Sequence, residues 1–210
     1  MPKHSISTLL RITGVYAWPG GLALSPKGNL AAVNWNKGGT WDIWLVSLSG
    51  GKPQKITGGS QSKGAPRFSP DGTKLGYLQD YDGDEKYDLH IYDLKDETTR
   101  NVMPDTDDAL NDHFSWSPDS RHAAFVSNRG GRFAVHVLDT VTGFVRRVSE
   151  HTYSDYVCAW SPDGMHIAFS AQISGQTSHI FIAPASGGAT RTVADKRGPM
   201  DAHSPRWSPD

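Results

Sequence analysis

Residues 158–169 read CAWSPDGMHIAF: a short apolar run, the tetrapeptide Ser161-Pro162-Asp163-Gly164, and a second run that alternates polar and apolar. The arrangement recurs along the chain. Ser-Pro stands at Ser25, Ser69, Ser117, Ser161 and Ser208, within LALSPKG, PRFSPDG, FSWSPDS, CAWSPDG and PRWSPD. Successive serines are 44, 48, 44 and 47 residues apart, a period of about 46 that suits a four-stranded unit repeated around an axis. Within the tetrapeptide, proline presets φ at the second position of a type I turn and aspartate suits the third. Glycine then accepts the positive φ that returns the chain as a hairpin with a bulge. Each copy therefore reads as a hairpin tip.

The flanks supply the strands. Leu24, Phe68, Trp116, Trp160 and Trp207 precede the serines and are expected to point inward from the incoming strand. Beyond the turn, Ala31 and Val33, Leu75 and Tyr77, Ala123 and Phe125, and Ile167 and Phe169 repeat with period two, as a half-buried strand does. A third strand lies in DIWLVSL (42–48), DLHIYDL (88–94), AVHVLDT (134–140) and HIFIAPA (179–185). Its inward positions are Ile43, Leu45, Leu89, Ile91, Val135, Val137, Ile180 and Ile182, with His90 and His136 pointing outward in a structural role. A fourth, exposed strand carries Ile56, Val102, Val148 and Val193, each within two residues of Lys or Arg.

The expected fold is all-β: a β-propeller of four-stranded antiparallel blades at about 22–57, 65–103, 113–149 and 157–194, with a fifth beginning at 204–210 and a lead-in over 1–21. Propellers close with roughly four to eight blades, so the chain reads as an incomplete ring cut from a larger protein, in preference to a closed four-bladed ring with a tail. Free blade edges in such a piece would favour self-association.

Composition excludes several functions. Twenty-one basic against 22 acidic residues leave a net charge of −1, which provides no bulk attraction for nucleic acid or an anionic membrane. The single cysteine, Cys158, can form no internal disulfide and sits at an inward position. The N-terminal apolar run, Leu9-Leu10 before Arg11, is too short for a secretory signal, so a cytoplasmic location is expected.

Catalytic motifs are absent. No Gly-x-Ser-x-Gly elbow occurs, and Gly58-Gly59-Ser60-Gln61-Ser62 lacks the closing glycine. The nine histidines are scattered, with no HExxH and no cysteine pair; no cofactor, metal site or catalytic residue is expected. The loop 79–87, QDYDGDEKY, concentrates Asp80, Asp82, Asp84 and Glu85, but its glycine and glutamate fall too early for an EF-hand. Loops after each second strand collect on one rim, where propellers bind. Trp35, Trp41, Arg129 and Arg132, with the four carboxylates, are thus the candidate contacts for a ligand or partner domain.

The unit Trp/Phe-Ser-Pro-Asp-Gly, followed by strands like HIAFSA (166–171) and DIWLVSL, resembles the repeats of TolB-like propellers and of the propeller domain of prolyl oligopeptidase family serine peptidases. The marks of ordinary WD repeats are not repeated, Trp41-Asp42 being a single instance. YLQDYDGDEKYDLHIYDL (77–94) is similar to the second-blade segment of these peptidases, and the opening, 5–33, to the lead-in of acylaminoacyl peptidase-like members. Where such sequences often carry arginine before the aspartate, this one has Gln79. The resemblance implies a propeller that gates peptide access to an α/β-hydrolase domain bearing a Ser-Asp-His triad later in the chain, so that this segment alone is inactive. A second reading is a non-enzymatic TolB-like propeller that binds a protein partner at its loop rim. A third, a metal enzyme with its ion in the central channel, finds no ligand pattern.

Overall fold

The computed structural model describes residues 20–37, 39–103, 108–175, 177–193 and 204–208. Most of the lead-in and the end of the fifth repeat lie outside these residues. The chain divides into two compact units, Met1–Pro104 and Asp105–Asp210, and every described element is a strand or a turn.

In the first unit, one sheet contains β1 (Leu22–Leu24), β2 (Leu30–Trp35), β3 (Asp42–Ser47) and β4 (Gln54–Lys55). The next contains β5 (Lys63–Phe68), β6 (Lys74–Asp80), β7 (Tyr87–Asp93) and β8 (Thr99–Asn101). The second unit repeats the plan with β9 (Leu110–Trp116), β10 (His122–Ser127), β11 (Ala134–Asp139) and β12 (Val145–Arg147), then β13 (Ser154–Trp160), β14 (His166–Ser174), β15 (Thr177–Pro184) and β16 (Arg191–Thr192). Each sheet is an antiparallel meander in chain order, the expected propeller blade.

The Ser-Pro turns close every first hairpin as expected. Ser25, Ser69, Ser117 and Ser161 each donate their backbone N–H across the hairpin, to Leu30, Lys74, His122 and His166, at 2.9 Å. The serine hydroxyl donates to the aspartate two residues on, at 2.6 Å for Asp71 and 2.5 Å for Asp163. The same carboxylate oxygen accepts the N–H of Thr73 or Met165 at 2.9 Å. Burial raises the Asp71 carboxyl, but these bonds outweigh it and hold the acid below its ordinary value. In the first copy Lys27 replaces the aspartate, and Asn29 accepts the Ser25 hydroxyl at 2.9 Å. The fourth turn position takes φ of 66°, 70° and 73° at Gly28, Gly72 and Gly164, and 59° at Ser120, where a side chain is strained.

Both sheet junctions are apolar. In the first unit Ala32, Ile43 and Leu45 of one sheet meet Phe68, Leu75, Tyr77 and Tyr92 of the next. In the second, Ala124, Val126, Val135 and Val137 meet Cys158, Ile167, Phe169, Phe181 and Ala183. The middle strands are consequently buried on both faces, since Ala32, Ala124 and Val126 are as inaccessible as Ala31, Ala123 and Phe125; the half-buried alternation read from the sequence is only its more conspicuous half.

Three further expectations are corrected. Leu24 is 56% exposed, against 9% for Phe68, because Phe68 inserts against the preceding sheet while Leu24 lies on the opposite face of the first one. His90 and His136 are buried, not outward. They pair across the sheet with Tyr77 and Phe125 and stack on those rings at 5.3 and 5.8 Å, where Phe181 in the fourth sheet stacks on Phe169 at 5.9 Å. The imidazoles occupy an aromatic position of the repeat. Finally, the outer strands end one residue before Ile56, Val102, Val148 and Val193. Val102 and Val148 are buried beneath them, while Val193 remains exposed.

Candidate functional site

The connectors after the second strands follow from the turn chemistry of their sequences. In the first unit, 36–41 joins β2 to β3 and 81–86 joins β6 to β7. Asp82, Gly83 and Glu85 take φ of 56°, 76° and 58°, the left-handed region in which Asp and Gly fit most readily. Gln61, in the linker between the two sheets, holds the acidic connector from outside it. Its amide donates to Asp82 Oδ1 at 2.9 Å, and its carbonyl oxygen accepts the Asp82 N–H at 2.7 Å. Asp80 donates its N–H to the Ser62 carbonyl at 2.9 Å, and its carboxylate accepts the Glu85 N–H at 3.2 Å. Burial, then Asp84 and Glu85, push the Asp80 carboxyl above its ordinary value. Asp84 accepts the Lys86 N–H at 2.9 Å.

Trp35 and Trp41 flank the other connector. Trp35 meets Trp44 at 5.1 Å between ring centroids, and the Lys37 ammonium stands 4.9 Å from the Trp35 ring. The Trp41 carbonyl accepts the Lys63 N–H at 2.8 Å. The chain of bonds from Trp41 through Lys63, Ser62 and Gln61 to Asp80 and Asp82 brings the two tryptophans and the acidic connector onto one rim of this unit.

Beneath that rim is a clasp that the sequence did not announce. The Asp42 carboxylate takes the Lys63 ammonium at 3.4 Å and the Lys55 ammonium at 2.6 Å, with Asp42 and Lys63 side chains 1% and 2% exposed. Thr57 donates its hydroxyl to Asp42 at 2.8 Å and accepts the Ile43 N–H at 2.9 Å. The Lys63 ammonium also donates to the carbonyls of Gly58 and Gln61 at 2.5 Å. Trp41-Asp42 stood out in the sequence for its resemblance to a WD mark, but nothing local pairs it with a lysine 21 residues on.

In the second unit, Arg129 donates to Asp108 at 2.7 Å and Arg132 to the Tyr153 carbonyl, so both arginines brace the rim. The corresponding clasp is built differently. Asp155, wholly buried, accepts the Val135 N–H at 2.9 Å and the Ser149 hydroxyl at 2.5 Å on one oxygen, and faces His151 Nε2 at 3.0 Å with the other. Tyr153 donates its N–H to His151 Nδ1 at 3.0 Å, which leaves Nε2 to carry the proton toward Asp155. Serine, aspartate and histidine are together, yet the serine hydroxyl donates to the carboxylate and the imidazole faces the carboxylate's other oxygen. The serine proton is directed at the carboxylate and not at the imidazole, so the group is a structural clasp and not a hydrolytic triad.

Side chains of β9 also cover the free edge of β13: Asn111 donates to the Tyr156 carbonyl at 3.0 Å, His113 Nε2 lies 3.0 Å from the Cys158 carbonyl, and the Trp160 N–H meets Ser115 Oγ at 3.3 Å. From the fifth repeat, Trp207 Nε1 donates to the Ala159 carbonyl at 3.0 Å. Cys158 itself is buried in the junction. Among the described residues, no group of three or more His, Cys, Asp or Glu is disposed to hold a metal ion.

A family described as the TolB beta propeller domain matches residues 21–210. Dipeptidyl-peptidase 5 of Porphyromonas gingivalis is 28% identical over 122 residues, which cover 55% of this chain and 18% of that protein. The acylamino-acid-releasing enzyme of Rattus norvegicus is 30% identical over 118 residues, covering 49% of this chain and 16% of the enzyme. Each match thus involves less than a fifth of the relative. Among solved structures, a putative TolB from Agrobacterium tumefaciens superposes with a TM-score of 0.70 at 23% identity, over 91% of this chain and 70% of that one.

Proposed function

Because the chain belongs to the TolB β-propeller family, we propose that it is the propeller portion of a prolyl oligopeptidase family serine hydrolase, gating peptide access to a catalytic domain carried elsewhere in the same protein. The observation that carries this reading is the similarity to two peptidases at 28 and 30% identity. The chemistry of the second unit agrees with a non-catalytic part, since the Ser149 hydroxyl bonds the Asp155 carboxylate and not the His151 imidazole. In this reading Trp35, Trp41, Asp80, Asp82, Asp84, Glu85, Arg129 and Arg132 border the connectors that meet substrate or the hydrolase domain, and the protein works in the cytoplasm.

A second reading is favoured by the match to a putative TolB over 91% of this chain: a propeller without a catalytic domain that binds a protein partner. One experiment separates them. An antibody raised against the 210-residue chain is used to precipitate the protein from its source cells after treatment with a fluorophosphonate probe, which labels activated serines. A labelled band far heavier than 22.9 kDa supports the hydrolase. An unlabelled band, with the probe active on other serine hydrolases in the same lysate, overturns it in favour of the binding module.

A further inference from the structure

The dipeptide Asp-Gly occurs three times, at Asp71-Gly72, Asp82-Gly83 and Asp163-Gly164. It is prone to a backbone rearrangement in which the amide nitrogen of the glycine attacks the aspartate side chain, because glycine has no Cβ to hinder that nitrogen. The reaction needs a free nitrogen, a carboxyl able to turn toward it, and room for the ring that forms. The three copies differ in all of these.

The two copies in the Ser-Pro turns are locked. Gly72 and Gly164 donate their N–H groups to the Ser69 and Ser161 carbonyls at 2.9 Å. Asp71 Oδ1 accepts the Ser69 hydroxyl at 2.6 Å, and both the N–H and the hydroxyl of Thr73 at 2.9 Å. Asp163 Oδ1 accepts the Ser161 hydroxyl at 2.5 Å and the Met165 N–H at 2.9 Å. Space is short as well, since a Cβ at Gly72 or Gly164 would stand 3.5 or 3.6 Å from Cδ of Pro26 or Pro118 in the preceding Ser-Pro turn.

Asp82-Gly83 is the centre of an exposed turn, with left-handed φ of 56° and 76°. The turn is closed by the Asp84 N–H, which donates to the Tyr81 carbonyl at 3.2 Å. Among the described residues the Gly83 N–H has no acceptor, and a Cβ built there would meet no atom within 4 Å. The Asp82 carboxylate is held among those residues by the Gln61 amide, which donates to Oδ1 at 2.9 Å.

We propose that Asp82 is a modification site, at which the rim connector converts slowly to isoaspartate. The Gly83 nitrogen attacks Asp82 Cγ: a C–N bond forms, a Cγ–O bond breaks, and the carboxyl oxygen departs as water with its own proton and the amide hydrogen. Water then adds to either carbonyl of the cyclic imide. Addition at Cγ breaks the new C–N bond and restores aspartate. Addition at the main-chain carbonyl breaks the old peptide bond, so that the chain runs through Cγ and the former main-chain carbon becomes the free carboxylate. One water leaves and one enters, and no oxidant or other reactant is needed. The product has one more backbone carbon before Gly83, so Gln61 can no longer hold the Asp82 N–H and carboxylate together. Asp84 and Glu85 are thereby presented differently on the rim.

Ageing the 210-residue chain at physiological temperature in water labelled with heavy oxygen tests this, because every passage through the imide leaves a solvent oxygen at the site. Electron-transfer fragmentation of the digested chain locates the label and separates isoaspartate from aspartate. Asp71 and Asp163 must each open a glycine N–H bond and at least two carboxylate bonds, against one carboxylate bond at Asp82. Asp82 should therefore take up label at least about tenfold faster than either. In urea, where the turns are lost, the three rates should converge. Gly83→Ala places a methyl group in open space but hinders the nitrogen; it should suppress uptake at Asp82 and leave the other two sites as they were. Gln61→Ala frees the carboxylate and should raise uptake at Asp82 by up to about tenfold. Equal uptake at all three sites of the folded chain, a disparity that persists in urea, or uptake at Asp82 undiminished by Gly83→Ala overturns the proposal. If Gly83→Ala fails to fold, unchanged or slower uptake in Gln61→Ala overturns it instead.

Discussion

Removing Asp42 should cost far more than removing an ion pair of similar length on the surface. With Asp42→Leu, the Lys63 ammonium stays buried and retains only the carbonyls of Gly58 and Gln61, while the Thr57 hydroxyl loses its acceptor. An uncompensated buried charge of this kind destabilises by about 3–5 kcal/mol. Lys63→Met should cost less, about 2–3 kcal/mol, because Asp42 keeps Lys55 and Thr57 as partners. The double variant leaves neither charge stranded, and its cost should fall short of the two single costs combined by about 2 kcal/mol or more. Urea unfolding followed by tryptophan fluorescence reads these differences: at a slope of about 2 kcal/mol per molar, Asp42→Leu moves the midpoint down by about 1.5–2.5 M. Burial makes the loss insensitive to salt, whereas Arg121→Ala breaks a 2.7 Å pair with Asp139 whose arginine is 53% exposed and should leave the midpoint within error at 0.5 M salt. Additive single costs, each no greater than the arginine control, would refute the reasoning.

Two other measurements probe the repeat. Ser120→Gly relieves the one occupied positive-φ position of the Ser-Pro turns and should raise stability by about 0.5–1 kcal/mol, while Gly164→Ala, at φ 73° with Pro118 Cδ 3.6 Å from the new Cβ, should lower it by about 1 kcal/mol; opposite signs would sink the strain argument. Burial is the main influence on His136, lowering its pKa, and the Ala134 carbonyl bond opposes it in part. The unfolded chain therefore binds the extra proton first as pH falls below about 6.5. Stability should decline from pH 7 to 5, and His136→Phe should flatten that slope in urea midpoints taken at both values.

The repeat was legible because the Ser-Pro-Asp-Gly turn encodes its own geometry within five residues, and every hydrogen bond that fixes it is local. Side-chain facing was legible only where a single partner surface exists. A blade strand has sheets on both sides, so Ala32 and His90 are buried although their neighbours already account for an apolar face. Leu24 shows the reverse, an inward-type residue that no described sheet covers. At the rim, the tryptophans and carboxylates could be found by composition. Lys63, Asp155 and His151 could not, because a buried charge becomes intelligible only with its partner, and each partner comes from another strand or from the linker between sheets.

The two clasps also constrain the order of the blades. Each is organised on a hydroxyl just after an outer strand, Thr57 or Ser149, but at one junction the acid comes from the sheet before the hydroxyl and at the other from the sheet after it. A recombinant that placed the β13–β16 segment after the 56–62 linker would bring Asp42 and Asp155 to compete for Thr57, with Lys63 gone. The units look alike in sequence, yet they carry opposite halves of the junction and cannot be shuffled freely. Gene duplication would supply the blades, while these few buried charges would give each an address.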